Sequence, residues 1–268
     1  MPIVRRSRGA RAWPILFALA AACATPKPPS FPTGPGTPFP EFGSAYAEAT
    51  ASCAHIDTFT ASMALSGRAA RTKLRGRIDA GFAAPARVRL EGIAPFGRPV
   101  FVLTAQDDRG TLILPRDDRV LADAPPAAIV EALAGVALTP EALRRAVSGC
   151  GFSSGEPRSG QLYGEATAAI ALPDGTMFLR RGDAVWQVAG ATRDTLTVAY
   201  TDYANGRPST VRLRAESGGR VSADLTLRLS QVEINVPLDA KVFEADVPPR
   251  AVPLTLEELR RAGPLGGR

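Results

Sequence analysis

The chain has 268 residues, of which 45% are hydrophobic, with 32 Lys and Arg against 26 Asp and Glu and three cysteines. That apolar share is ordinary for a globular protein and supplies a sizeable core, which excludes a chain that never folds. The net charge of +6 comes without a basic run or an aromatic-interleaved patch, and four of the arginines fall in the first 22 residues, so nucleic-acid binding has no support.

Arg5, Arg6, Arg8 and Arg11 open the chain, an apolar run of ten follows from Trp13 to Ala22, and small residues then precede Cys23. This order reads as a secretory signal, and ten residues are too few to span a bilayer as a helix, which needs about 20. Leu19 to Cys23 resembles a bacterial lipobox, with Ala20 where Leu is commoner. The resemblance implies cleavage before Cys23 and lipid attached to that cysteine; the alternative is an ordinary signal peptide with a chance cysteine. Removal of residues 1–22 lowers the net charge from +6 to +2. Residues 23–43 then read as the lipidated cysteine and a tether. Seven prolines in residues 24–42 suggest a polyproline-like linker outside the fold, able to reach ~60 Å from the lipid. About 245 residues remain after cleavage, enough for two domains or one large β domain, and the absence of an internal linker favours one domain over 44–250.

Ser44 to Ala54 suggests a short helix. From Phe59 the period changes to two: Phe59, Ala61, Met63 and Leu65 alternate with polar neighbours, as do Leu74, Gly76 and Ile78, then Val88, Leu90 and Gly92. One charged and one apolar face per strand indicates an antiparallel sheet wet on one side. Further strands are expected at 100–105, 111–114 and 119–122. Pro126–Ala134 and Pro140–Ser148 have helical spacing, with Thr139-Pro140-Glu141 as an N-cap followed by Pro at the first helical position. Beyond Cys150 strands return at 163–172, 176–181, 184–188, 195–203, 210–215 and 223–233, with Asn205-Gly206 and Gly218-Gly219 as hairpin turns. Residues 251–268 read as a tail with a short helix near Glu257–Arg261. About twelve strands are expected in all.

With Cys23 assigned to lipid, Cys53 and Cys150 suggest a disulfide in an exported chain, two buried thiols being the alternative. No zinc spacing occurs, and the one histidine, His55, reads as a helix-end surface residue. There is no GxGxxG, P-loop or GxSxG. Asp107-Asp108 and Asp117-Asp118 are adjacent pairs in turns, and adjacent side chains on a strand point apart, so they suit neither general acid nor base work. No enzyme, metal or cofactor is expected. Gly67, Gly76 and Gly92 all fall on the apolar side of the first three strands. Glycine there implies either sharp curvature, with helices filling the space, or room for a ligand. The turn Pro95-Phe96-Gly97 either presents an apolar residue to a membrane or partner or folds it beneath the sheet.

In this order, Ser66-Gly67-Arg68, Arg87-Val88-Arg89-Leu90 leading to Pro95-Phe96-Gly97, Leu138 to Leu143 before Ser148-Gly149, and Pro237-Leu238-Asp239 through Phe243 to Pro248 resemble the LolA/LolB-like lipoprotein carriers. LolB, the outer-membrane lipoprotein receptor, is the nearest in kind. The resemblance covers residues 56–152 and, more loosely, 160–249. It implies a mainly β (α+β) fold: an unclosed, strongly bent antiparallel half-barrel of about 11–12 strands, with helices plugging the concave side and an apolar cavity between. It further implies that acyl chains of lipids or lipoproteins enter that cavity, lined by Met63, Leu65, Ile78, Leu90, Leu112, Leu114 and Leu227. Phe96, with Pro95 and Gly97, would aid delivery into the membrane. The expected partners are membrane lipid through acylated Cys23, acyl chains, and a periplasmic carrier or envelope protein. Ala24 after Cys23, where Asp would favour inner-membrane retention, points to the outer membrane, facing the periplasm. The competing reading is a non-catalytic assembly lipoprotein that uses the same fold to contact a protein.

Overall fold

A computed structural model describes residues 30–93, 99–152 and 155–263. The signal segment, Cys23 and the turn Pro95-Phe96-Gly97 lie outside the described residues. The elements in chain order are β1 (Thr37–Pro38), α1 (Phe42–Thr50), a 3-10 turn at Ala51–His55, β2 (Thr58–Ala69), β3 (Thr72–Ala83), β4 (Arg87–Ile93), β5 (Phe101–Gln106), β6 (Arg109–Leu114) and β7 (Arg119–Ala124). Two helices follow, α2 (Pro126–Ala134) and α3 (Pro140–Ser148). The second β run comprises β8 (Ser159–Tyr163), β9 (Thr167–Leu172), β10 (Gly175–Gly182), β11 (Val185–Arg193), β12 (Leu196–Ala204), β13 (Arg207–Ser217) and β14 (Arg220–Ile234). A 3-10 turn at Ala240–Phe243, β15 (Val252–Pro253) and α4 (Leu256–Ala262) end it.

All fifteen strands belong to one sheet, in the order β1-β8-β9-β10-β11-β12-β13-β14-β2-β3-β4-β5-β6-β7-β15. Two meanders are joined where β14 pairs with β2, Leu227 opposite Leu65. The sheet does not close: β1 and β15 are its two edges. This is the mainly β, unclosed fold that the sequence resemblance implies, with three strands more than the period-two pattern revealed. Those three are β1, β15 and β8, which precedes the strand expected at 163–172 and found as β9. Pairing is antiparallel throughout except at β15, which runs parallel to β7.

Topology places the helices. β7 and β8 sit near opposite edges, so the chain between them must cross the open side of the sheet, and α2 and α3 make that crossing. Each has its start and stop written locally. Thr139 caps α3, its hydroxyl accepting from the Ala142 N–H at 3.2 Å, and Gly149 ends it at φ +91, a left-handed conformation that suits glycine. Ile129 of α2 and Ala146 and Val147 of α3 are fully buried in the same core as the inward residues Phe59, Phe82, Leu112, Ile170 and Val198. Cys53, in the 3-10 turn, is bonded to Cys150, just past α3, across 97 residues of sequence.

The Pro-rich segment departs from the linker expectation. From Phe31 onward the chain is part of the compact unit. The Phe31 ring stacks on Phe178 at 4.1 Å with an interplanar angle of 3°, over Gly190, where a Cβ would come within 2.3 Å of it. Phe39 is buried against Trp186, and Thr37 and Pro38 pair with Leu162 and Gln161. Proline cannot donate to a ladder, which confines this strand to an edge, where it is found. The driving force is burial of two phenylalanines that carry no periodic signal. The C-terminal segment likewise docks. Leu254 and Leu259 are buried, and α4 opens on a capping box in which Thr255 and Glu258 satisfy each other's backbone N–H groups.

Candidate functional site

A hollow of about 660 Å³ lies between α2 and the concave face of β2–β5. Its depth comes from alternation: Leu74, Gly76 and Ile78 of β3 and Leu90 and Gly92 of β4 point inward, and Val130 and Leu133 of α2 face them. The glycines here do different things. A Cβ at Gly76 would meet open space, so its absence enlarges the hollow. Gly92 lies opposite Phe101 in the ladder, and a Cβ there would come within 2.5 Å of the Phe101 ring. The ring covers the bare backbone, as aromatic residues do beside strand glycines. Gly67, at φ +142, has the Asp224 carbonyl oxygen 2.2 Å from where a Cβ would stand. It lets β2 and β14 approach and does not line the hollow.

Of the residues expected around a cavity, Leu65, Ile78 and Leu90 line it. Met63, Leu112, Leu114 and Leu227 are not among the lining residues; they are buried in the core. α2 packs on β6, and α3 on β13 and β4, and these four residues belong to the one core that includes both helices. Leu74, Phe101, Leu103, Val130 and Leu133 complete the wall. The first and third of these follow from the period-two pattern, and the α2 pair from its helical stripe, once the helix is known to face this sheet.

The rim is cationic. Arg75, Arg77 and Arg116 line the hollow together with the apolar groups, and among the described lining residues there is no Asp or Glu. β4 ends at Ile93, opposite Arg77, so Lys73 to Gly76 extend past it and bring the arginines to the edge of the opening. Beyond β4, the Val100 N–H donates to the Gly92 carbonyl at 2.8 Å. Ile93 and Val100 both line the hollow.

A second hollow of about 630 Å³ lies between α1 and β8–β11 and is polar, with Glu41, Glu48, Glu165 and Arg181 around Phe39 and Trp186. The Arg181 guanidinium stands 5.6 Å from the centre of the Trp186 ring. His55 is exposed at the end of its 3-10 turn, and its carbonyl accepts from Asn235. Asp107-Asp108 and Asp117-Asp118 occupy turns. Among the described residues no group of three His, Cys, Asp or Glu is placed to hold a metal. Three phenols are shifted: burial pushes the Tyr46 and Tyr200 hydroxyls up and raises Tyr203 to about 12. None of the three lines the apolar hollow.

No family model matches the chain and no curated protein is significantly similar to it. Solved structures are. A LolA superfamily protein from Nitrosomonas europaea superposes with a TM-score of 0.51 at 12% identity, covering 75% of this chain and 94% of that one. A DUF1329 family protein from Desulfovibrio piger gives 0.46 at 10% identity, over 75% and 96%. The lipoprotein LppX from Mycobacterium tuberculosis gives 0.31 at 9% identity, over 75% and 98%. At such identities the likeness concerns architecture: the chain has the open, helix-plugged sheet of the LolA superfamily protein from Nitrosomonas europaea.

Proposed function

We propose that this chain is an envelope lipoprotein, held on the outer membrane through lipid on Cys23, that binds acyl chains of lipids or lipoproteins in the hollow between α2 and β2–β5. The observation that carries the reading is the hollow itself. At about 660 Å³ it falls within the roughly 300–1,000 Å³ of small-molecule sites, and its inner wall is leucine, isoleucine, valine and phenylalanine. Each buried CH₂ is worth about 0.8 kcal/mol, so one chain supplies ample affinity without nucleotide or metal. Transfer between carriers then needs only a difference in affinity. Fold likeness to a LolA superfamily protein supports this reading. Pro95, Phe96 and Gly97 lie in sequence between Ile93 and Val100, which line the hollow, and Phe96 is assigned to delivery.

The test uses the full chain with Cys23→Ser, which cannot be acylated. The neutral dye N-phenyl-1-naphthylamine should brighten on binding and be displaced by a monoacylglycerol. Gly76→Trp, which fills the hollow from a position with free space, should abolish the signal while leaving the circular dichroism unchanged. A chain that fails to bind the dye and copurifies with no lipid by mass spectrometry overturns the reading in favour of a protein-binding assembly lipoprotein.

A further inference from the structure

We propose that the occupant of the hollow is an amphiphile with an anionic head group, held with its chain against α2 and its head at Arg75, Arg77 and Arg116; this rests on the acyl-chain reading. The apolar wall alone would accept any hydrocarbon. The rim is what selects. Three arginines and no carboxylate are among its described lining residues, the Arg75 and Arg77 side chains leaving β3 on its outer face at the edge where β4 has ended. Arg77 is partly countered, its Nε 4.0 Å from Asp79 and its Nη2 3.5 Å from Ser62. Among the described residues neither Arg75 nor Arg116 has an ion pair.

The arginines also continue a basic strip. In the β2–β3 ladder Arg68 stands opposite Lys73, with Arg75 and Arg77 following at every second position. All four are exposed. The carboxylate beside them, Asp224, is already held by Arg212, whose Nε donates to it at 2.7 Å. Cations therefore run along the outer face to the edge of the opening, where Arg77 alone is partly countered. A neutral glyceride would offer Arg75 and Arg116 no counter-charge. A phosphodiester accepts from guanidinium in paired, charge-assisted hydrogen bonds beside a low-dielectric wall, where such bonds are strong. An apolar interior with a cationic lip has the chemistry of an anionic lipid turned inside out.

The experiment compares two competitors with the same myristoyl chain, lysophosphatidylglycerol and monomyristoylglycerol, for displacement of N-phenyl-1-naphthylamine from the Cys23→Ser chain. The anionic competitor is expected to act at roughly tenfold lower concentration at low salt. That advantage should shrink in about 0.5 M NaCl, where screening is strong. It should vanish in the double variant Arg75→Gln, Arg116→Gln, whose own affinity for the dye is measured first and sets the scale for both competitors. Equal potency of the two competitors, or a preference that survives the double variant, overturns the head-group assignment and leaves the acyl-chain reading intact. Failure of the unsubstituted chain to bind the dye overturns the acyl-chain reading itself.

Discussion

The Tyr200 hydroxyl, wholly buried, donates to the Ala146 carbonyl at 2.9 Å and accepts from the Gly151 N–H at 3.0 Å. One phenol on β12 thus satisfies a carbonyl of α3 and an amide just beyond it, fastening the plug to the sheet. Tyr200→Phe should cost about 1–3 kcal/mol, because it strands two buried backbone groups. Urea denaturation with an unchanged m-value checks it.

Stability should fall in alkali. Burial raises Tyr200 and raises Tyr203 from 10.0 to about 12. A raised folded value gives stability that is complete below the unfolded value of 10 and is lost as pH rises through the folded one. Melting temperatures should therefore decline from pH 10 upward, and Tyr203→Phe should flatten the decline between pH 10 and about 12.

Cys53 and Cys150 close a loop of 97 residues, for which chain entropy predicts roughly 4–5 kcal/mol. Cys53→Ser with Cys150→Ser should lower unfolding free energy by an amount of that order. The same loss should appear in the unsubstituted chain under reductant.

Two inward glycines on neighbouring strands should respond in opposite ways to alanine. Gly67→Ala forces a Cβ to 2.2 Å from the Asp224 oxygen at φ +142 and should cost about 2 kcal/mol or more. Gly76→Ala enters open space and should be neutral or stabilising by up to about 1 kcal/mol. Paired thermal melts distinguish them.

At low pH the C-terminal helix should come loose first. The Thr255 N–H, then Arg119 and the Thr255 hydroxyl, hold the Glu258 carboxyl down from 4.5 to about 2, so its stabilising contribution is present above 4.5 and is lost as pH falls toward about 2. NMR signals of Leu256–Ala262 should move in that window before those of the sheet, and Glu258→Gln should abolish the transition.

Much of the frame was legible because local chemistry and global fold agree there. Pro126–Ala134 and Pro140–Ser148 carry their proline starts and glycine stops in the sequence, and both helices fall on those residues. The alternation from Phe59 to Leu90 was equally plain. The segment from Phe31 to Phe39 reads as a linker in sequence because both phenylalanines act through rings 147 residues away, a distance at which no periodicity exists. The hollow was half legible. Alternation identifies inward positions such as Leu65, Ile78 and Leu90, but which of them are packed over depends on contacts between distant elements that no local pattern encodes. Hence Met63 and Leu112 face the same interior yet lie beneath packing.

The stacking of Phe31 on Phe178 bears on how such a domain would meet a bilayer. Were Cys23 lipidated as proposed, the docked Phe31 ring would stand only eight positions beyond it, and a fully extended chain would reach roughly 25–30 Å, not the ~60 Å of an undocked segment. A leash of that reach would raise the effective concentration of lipid at the domain toward the millimolar range. Lipid capture would then be a search across a surface instead of through a volume, and the domain's tumbling, more than its diffusion, would set how often the opening meets a membrane.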